Sequence, residues 1–297
     1  MDELMGTGVA LVTPFKEDLS VDVAALQKLI EHCISSGVDY LVALGTTAEA
    51  ATLSKQEKLL VMRTITQVNA GRLPLVVGIG GNNTRAVAEE LQSLDLKEFS
   101  AILSVSPYYN KPTQEGIYQH FRALAKVSPL PLIVYNVPSR TGSNMTSETT
   151  LRLAHEVPKI AAIKEASGNM VQINEIIKRK PDDFLVISGD DFTALPTVLA
   201  GGSGVISVIG QGLPQQFSKM IQLALHGNAD DAYEIHHALL SGMHLIFEEG
   251  NPAGIKNLLK TLGVTGSLVR LPLVEATPQL QMKISSFLKP FQNAYAS

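Results

Sequence analysis

The sequence predicts an α/β fold, a (β/α)8 TIM barrel with a C-terminal helical extension. Short apolar runs alternate with helix-like segments along most of the chain, which is the pattern of a parallel sheet with crossover helices. A (β/α)8 barrel usually has about 250 residues, and the chain has 297. The alternative, an open doubly wound sheet, is disfavoured because Leu11-Val12-Thr13-Pro14 stands where a glycine-rich fingerprint would follow the first strand.

Each predicted strand is a short run of apolar, often β-branched residues. The runs are 8–12, 40–44, 75–78, 101–104, 132–135, 160–165, 184–187 and 204–207. Between them, apolar residues spaced three or four apart predict helices at 23–36, from 54 onward, and at 84–96, 114–127, 147–156, 171–179 and 192–200. Ser54 and Glu57 have the spacing of a capping box, which marks the start of the second helix.

After the last predicted strand the sequence has only helical periodicity. The predicted helices are 215–226, 230–247, 251–262 and 279–294. The first of them completes the barrel, and the others form the extension. We therefore predict a barrel domain at 1–228 and a helical extension at 229–297, with no polar linker between them.

Composition and charge favour a small-molecule partner. The chain is 45% hydrophobic and carries a net charge of −4 without a Lys/Arg cluster, so the signature of a nucleic-acid-binding protein is missing. The one cysteine, Cys33, lies on the apolar face of a predicted helix, where we expect a buried, unreactive thiol. A single cysteine, an acidic N-terminus and the lack of a membrane-length apolar run favour a cytoplasmic protein with no membrane contact.

Lys164 is the residue that most directly indicates chemistry. It follows the apolar run Ile160-Ala161-Ala162-Ile163, so we expect its amine in a poorly solvated pocket at the end of a buried strand. Desolvation lowers a lysine pKa by up to about 3–5 units from roughly 10.4, which makes the free amine accessible near neutral pH. A free amine attacks a ketone and forms a Schiff base. The alternative interpretation is a solvated strand end.

Polar residues follow several predicted strands and would converge at the C-terminal end of a barrel. They lie at 45–49, 106–110, 135–142, 164–165 and 188–191. The threonines could be ordinary turn residues and the tyrosines ordinary packing residues. We expect Asp190 and Asp191 to cap the next helix rather than bind metal. Since no His-Glu-x-x-His pattern occurs, we expect no bound metal. We expect no other cofactor either.

Five of these segments carry a resemblance to a known family. They are Gly-Thr-Thr-x-Glu at 45–49, Tyr-Tyr-Asn at 108–110, Tyr-Asn-Val-Pro-x-Arg-Thr-Gly at 135–142, Ile-Lys-Glu-Ala-Ser-Gly at 163–168 and Ser-Gly-Asp-Asp at 188–191. Together, in this order, they resemble the dihydrodipicolinate synthase family of pyruvate-dependent class I aldolases, in the superfamily of N-acetylneuraminate lyase. Arg140 narrows the resemblance, because the sugar-acid lyases of that superfamily generally lack an arginine here.

The resemblance implies a Schiff-base mechanism and a role for each catalytic residue. Lys164 would form the imine with pyruvate, and the backbone amides of Thr46 and Thr47 would hold the pyruvate carboxylate. Thr47, Tyr109 and Tyr135 would form a proton relay. Tyr109 would reach into the site of a neighbouring subunit, in a homotetramer built as a dimer of dimers.

The resemblance also implies the second substrate and the pathway. Arg140 would bind the carboxylate of L-aspartate 4-semialdehyde, for which a planar guanidinium fork is well suited. Gly189 and Ile206 are further candidate substrate-binding residues. The reaction would serve lysine and diaminopimelate biosynthesis. Two alternatives stay open: a lyase for a 2-keto-3-deoxy sugar acid or N-acetylneuraminate, and a non-catalytic regulator on the same barrel.

One departure from the family concerns feedback by L-lysine. Lys55 and Lys58 stand where lysine-inhibited members have imidazoles, and Ala86 stands where they have a carboxylate. Two ammonium groups without an acid bind a cationic ligand poorly. We therefore expect inhibition by L-lysine to be weak or absent.

Overall fold

The computed structural model describes residues 1–292, and its centre is a closed barrel of parallel strands. The strands are β1 (Gly6–Ala10), β2 (Tyr40–Ala43), β3 (Leu75–Gly78), β4 (Ala101–Val105), β5 (Leu132–Asn136), β6 (Ile160–Glu165), β7 (Leu185–Ser188) and β8 (Gly204–Ser207). Each strand pairs with the next along the chain, and β8 pairs with β1. The predicted (β/α)8 barrel is therefore confirmed.

Helices surround the barrel and continue beyond it. They are α1 (Val23–Ser35), α2 (Lys55–Asn69), α3 (Thr84–Ser93), α4 (Gln114–Val127), α5 (Pro138–Thr141), α6 (Ser147–Glu156), α7 (Met170–Arg179), α8 (Asp191–Leu199), α9 (Pro214–Leu225), α10 (Ala229–Glu248), α11 (Ala253–Thr261) and α12 (Pro278–Gln292). The predicted capping box of Ser54 and Glu57 is present at the start of α2. The single turn α5 was not predicted, and the predicted helix end at 294 lies outside the described residues.

The first strand begins and ends two residues earlier than the sequence predicts. The prediction left out Gly6, because glycine is depleted in strands. In the structure, Gly6 begins β1 and pairs with Gly204 of β8, and a Cβ at Gly6 would lie 2.2 Å from Oδ2 of Asp39. Leu11 and Val12, which were assigned to the strand, are buried in the segment that follows it.

Two apolar clusters separate the barrel interior from the layer between strands and helices. The interior cluster includes Tyr40, Val76, Ile133 and Ile187. The larger cluster lies between strands and helices, and it contains Cys33, which is fully buried and whose thiol pKa burial raises. The expected burial of the thiol is confirmed.

The C-terminal extension packs directly on the barrel helices. Helix α10 contacts both α8 and α9, and α11 and α12 pack against α10. Apolar residues of the extension, such as Met243 and Ile284, belong to the same cluster as Ile221 of α9. The division at residue 228 stays a prediction, and the packing makes the apolar core continuous across it. Among residues 1–292, no helix combines the length and hydrophobicity that crossing a bilayer requires.

Candidate active site

Lys164 lies inside the barrel, one residue before the end of β6. Side chains alternate along a strand, so Lys164 shares the interior face with Ala162. Its register partners on the neighbouring strands are Tyr135 of β5 and Ile187 of β7. The side chain is 5% exposed, and its Nζ lies 4.4 Å from the centre of the Tyr135 ring. The predicted placement of the lysine at the end of a buried strand is confirmed.

The surroundings of Lys164 favour the free amine. Burial lowers its pKa from 10.5 to about 8, partly offset by the negative charge of Asp191 and assisted by the positive charge of Arg140. At pH 7 about a tenth of such a group is unprotonated, far more than for a solvated lysine. Lys164 is therefore suited to attack a carbonyl carbon near neutral pH.

Asp191 is a buried carboxylate that the sequence analysis assigned incorrectly. We expected it to cap a helix with Asp190, and only Asp190 does so, accepting a hydrogen bond from Phe192 N at 3.3 Å. Asp191 is 2% exposed and instead accepts from Ser207 Oγ at 2.6 Å and Ile209 N at 2.9 Å. Burial raises its pKa to about 6. These hydrogen bonds fix the end of β8. The negative charge of Asp191 also favours the protonated form of Lys164 and so raises the pKa of the lysine.

Tyr135 is bonded to a different threonine from the one expected. The phenol is 6% exposed, burial raises its pKa, and its hydroxyl is hydrogen-bonded to the side chain of Thr46. The hydroxyl of Thr47 accepts instead from Nδ2 of Asn251 at 2.9 Å. The relay role of Thr47 stays a prediction: in one copy of the chain its hydroxyl is bonded to Asn251, and Thr46, from the same 3₁₀ turn Thr46–Ala48, is the threonine beside Tyr135.

An open cavity of about 490 Å³ lies above Tyr135 at the C-terminal end of the barrel. It is lined by the loops that follow β2, β3, β4 and β5, by the turn before α11 and by the segment between α11 and α12. The lining includes Gly45, Thr46, Glu49, Val105, Tyr108, Tyr135, Arg140, Asn251 and Leu273. A cavity of this size accommodates small organic acids.

The remaining candidate residues take up three different positions. Arg140 lies on α5 and faces the cavity with its guanidinium exposed. Ile206 is fully buried on the interior face of β8. Tyr109 is 88% exposed, has φ of +73°, and is not among the cavity-lining residues of the described chain. One copy of the chain therefore does not bring Tyr109 to Lys164.

A second buried carboxylate, Glu165, organises the ends of β5 and β6. It is fully buried and accepts hydrogen bonds from Asn136 Nδ2 at 2.9 Å, Gln172 Nε2 at 2.9 Å and Ser167 N at 2.7 Å. These donors satisfy both carboxylate oxygens. The sequence places Glu165 beside Lys164, but its partners became visible only in three dimensions.

A second cavity of about 390 Å³ lies between α2 and α3 and adjoins the first, with which it shares Lys58 and Glu90. Lys55 and Lys58 line it as expected, but Glu89 and Glu90 line it as well. The expectation that no acid accompanies the two lysines is wrong, because α3 supplies carboxylates one turn beyond Ala86. Within residues 1–292, no cluster of three or more His, Cys, Asp or Glu side chains has the geometry to hold a metal ion.

The fold and the buried amine define a class of protein. A closed (β/α)8 barrel with a desolvated lysine on β6, beneath an open cavity, is the arrangement of a Schiff-base-forming carbonyl lyase. Residues 3–290 match the model of the dihydrodipicolinate synthetase family, so the chain belongs to that family.

Individual relatives agree with the family match over nearly their full lengths. A 4-hydroxy-tetrahydrodipicolinate synthase of Flavobacterium psychrophilum is 57% identical over 289 residues, covering 97% of this chain and 99% of the relative. One of Parabacteroides distasonis is 51% identical over 286 residues, with 96% of each covered. The crystal structure of dihydrodipicolinate synthase from Aquifex aeolicus superposes with a TM-score of 0.93 at 39% identity, covering 97% of this chain and 98% of that chain.

Proposed function

We propose that this chain catalyses the aldol condensation of pyruvate with L-aspartate 4-semialdehyde, the activity of a 4-hydroxy-tetrahydrodipicolinate synthase in lysine and diaminopimelate biosynthesis. The observation that carries the proposal is the buried amine of Lys164, with its pKa near 8 and its Nζ 4.4 Å from the Tyr135 ring. A lysine that served only as a solvated strand end would not be buried inside the barrel. The names of the close relatives support the same activity.

The first step is imine formation. The free amine of Lys164 attacks the keto carbon of pyruvate, and the carbonyl oxygen leaves as water after two proton transfers. Tyr135 and Thr46 are the hydroxyls placed to carry these protons, since they are already hydrogen-bonded to each other. The pyruvate carboxylate is bound by the backbone amides of Thr46 and Thr47, with Gly189 and Ile206 beside the imine.

The second step forms the carbon–carbon bond. Loss of a proton from the methyl carbon gives an enamine, because the protonated imine accepts the electron pair. The enamine carbon attacks the aldehyde of the second substrate, and the aldehyde oxygen takes up a proton. The amine of the second substrate then displaces Lys164 from the imine carbon, which closes the ring and regenerates the free lysine.

Arg140 selects the second substrate. Its guanidinium faces the cavity, where it can bind the semialdehyde carboxylate through two parallel hydrogen bonds. This assignment favours the condensation over cleavage of N-acetylneuraminate or a 2-keto-3-deoxy sugar acid, which would not require an arginine here.

The active unit in this proposal is a cytoplasmic homotetramer, arranged as a dimer of dimers. The support is Tyr109, whose phenol is 88% exposed and lies outside the cavity of its own chain. A partner subunit that receives Tyr109 would complete the proton relay of Tyr135 and Thr46.

The test is a comparison of two substrate pairs. Purified protein is incubated with pyruvate and L-aspartate 4-semialdehyde, and separately with pyruvate and N-acetylmannosamine. We expect consumption of pyruvate only with the semialdehyde, and loss of this activity in Arg140→Leu. Preferential reaction with N-acetylmannosamine would support the sugar-acid lyase instead. Absence of imine formation in folded protein would support a non-catalytic regulator.

A further inference from the structure

A buried ion pair connects the extension to the loop after β2. Lys256 of α11 is fully buried, and its Nζ lies 2.5 Å from Oε1 of Glu49. The same amine donates to the backbone oxygen of Leu268 at 2.8 Å. The other oxygen of Glu49 accepts from the backbone amide of Arg270 at 2.9 Å. Both charges are thus bound to groups that come from distant parts of the sequence.

Phe15 and Arg270 complete the surroundings of this pair. The centre of the Phe15 ring lies 4.1 Å from Nζ of Lys256 and 4.4 Å from Cζ of Arg270, which is cation–π distance for both groups. The Arg270 side chain also donates to the backbone oxygen of Thr52 at 2.9 Å and to Glu57 at the start of α2. The extension therefore contacts the β2–α2 loop at several points along its length.

The loop needs such contacts because its backbone is unusual. Glu49 has φ of +54°, a left-handed conformation that residues with a Cβ rarely adopt, and it separates two 3₁₀ turns, Thr46–Ala48 and Ala50–Thr52. Thr46 and Thr47 occupy the first of these turns. Rotation of the backbone at Glu49 would therefore redirect both threonines relative to the cavity.

Asn251 provides a second contact to the same turn. It lies five residues before Lys256, is 7% exposed, and donates from Nδ2 to the Thr47 hydroxyl at 2.9 Å. Its Oδ1 is buried and has no hydrogen-bond partner among the described residues, and the residue lines the cavity. Asn251 and Lys256 thus act on the two ends of one short segment, 47–49.

We propose that Asn251 and Lys256 are positioning residues: through Thr47 and Glu49, they fix the loop that binds the pyruvate carboxylate. The inference rests on the proposed function. A buried ion pair is often no more stabilising than an apolar pair of the same volume, so stability alone gives weak reason for it. Its directional bonds, in contrast, define where the loop lies.

The experiment measures how much pyruvate is needed to occupy Lys164. Full-length protein is titrated with pyruvate, reduced with borohydride, and the labelled fraction is read by mass spectrometry. The variants are Glu49→Gln/Lys256→Met, which removes both charges together, and Asn251→Ala. The control is Glu248→Gln/Lys283→Met, which removes an exposed Lys–Glu pair of the same 2.5 Å length in the same extension. Folding is followed by circular dichroism.

We expect the half-saturating pyruvate concentration to rise at least tenfold in the double variant and several-fold in Asn251→Ala. The control should stay within twofold of the unmodified chain. A purely structural role would lower the fraction of folded protein but leave half-saturation of the folded fraction unchanged. If the double variant does not fold, Asn251→Ala decides the question.

Two failures are distinguishable. Labelling of the unmodified chain together with unchanged half-saturation in the folded variants would overturn this inference and leave the proposed function standing. No labelling of the folded, unmodified chain would overturn the proposed function, and the inference with it.

Discussion

The Lys164 side chain lies where a side chain at position 189 would otherwise be, and Gly189 has none. A Cβ at Gly189 would lie 2.9 Å from Cε of Lys164 and 2.7 Å from Cβ of Ala166. Atoms at these distances overlap, so any larger residue at position 189 must displace the lysine or the strand that carries it. The absence of a side chain at Gly189 is therefore part of how Lys164 reaches its place under the cavity.

Gly189→Ala should accordingly impair imine formation. Overpacking of this kind costs about 1–3 kcal/mol, and the displaced amine loses its alignment with bound pyruvate. We expect borohydride labelling by pyruvate to slow by at least tenfold. The control is Gly266→Ala, because a Cβ there has as its nearest neighbour within 4 Å only Phe15 O, at 3.8 Å. Equal labelling rates in the two variants would contradict the steric argument.

Removing the charge of Arg140 and removing the charge of Asp191 should shift the pH dependence of labelling in opposite directions. Imine formation needs the free amine, so its rate should rise with pH around a midpoint near the Lys164 pKa of about 8. Arg140 lowers that pKa, so Arg140→Leu should move the midpoint to higher pH. Asp191 raises it, so Asp191→Asn should move the midpoint to lower pH.

The midpoint is obtained from labelling rates measured at saturating pyruvate, at a series of pH values between about 6 and 10 that lie on both sides of the expected pKa. Because a midpoint does not depend on how much protein is active, partial misfolding of Asp191→Asn would not disturb it. Shifts of both variants in the same direction would contradict the assigned electrostatics.

Thr46 and Thr47 should differ in their effect on proton transfer. Thr46 is hydrogen-bonded to Tyr135, whereas Thr47 is bonded to Asn251. Replacing Thr46 by valine keeps the backbone amide and removes the hydroxyl, and general acid–base groups contribute about 10²–10⁴-fold. We expect exchange of the pyruvate methyl protons with deuterated water to slow by about 10²-fold in Thr46→Val.

The matched variant is Thr47→Val, for which we expect less than a tenfold effect on the same exchange, since the Thr47 hydroxyl is bonded to Asn251. Exchange is followed by loss of the methyl signal in proton NMR. A larger defect in Thr47→Val would restore the assignment made from the sequence.

Weak or absent inhibition by L-lysine stays a prediction. The cavity between α2 and α3 contains two carboxylates, Glu89 and Glu90, in addition to Lys55 and Lys58, so it is closer to neutral than expected. The two ammonium groups still oppose a cationic ligand. We expect weak or no inhibition in a steady-state assay, and we expect Lys55→His/Lys58→His to increase sensitivity. Strong inhibition of the unmodified chain by submillimolar L-lysine would contradict this expectation.

The sequence predicted the barrel and the place of Lys164 because both depend on local patterns. Apolar runs alternating with helical segments specify the strand order, and the alternation of side chains along β6 places Lys164 on the interior face. The start of the first strand was missed because Gly6 is a poor strand former and its partner, Gly204 of β8, is distant in the sequence.

Contacts between distant segments could not be predicted in the same way. Asn251 and Thr47 are 204 residues apart, and Lys256 and Glu49 are 207 apart, so no local pattern links them. Asp191 resembled a helix cap beside Asp190, because a single sequence does not show that one carboxylate points toward β8. The choice between Thr46 and Thr47 likewise depends on a single 3₁₀ turn.

The most direct test of the account is to map where pyruvate attaches. The unmodified chain is reduced with borohydride in the presence of pyruvate, digested, and sequenced by mass spectrometry. Lys256 is an internal control, because its pKa is also lowered to about 8, but it is fully buried and its amine is ion-paired with Glu49. We predict a label on Lys164 alone and none in Lys164→Met. A label on Lys256 or another lysine, or no label in folded protein, would contradict the central claim.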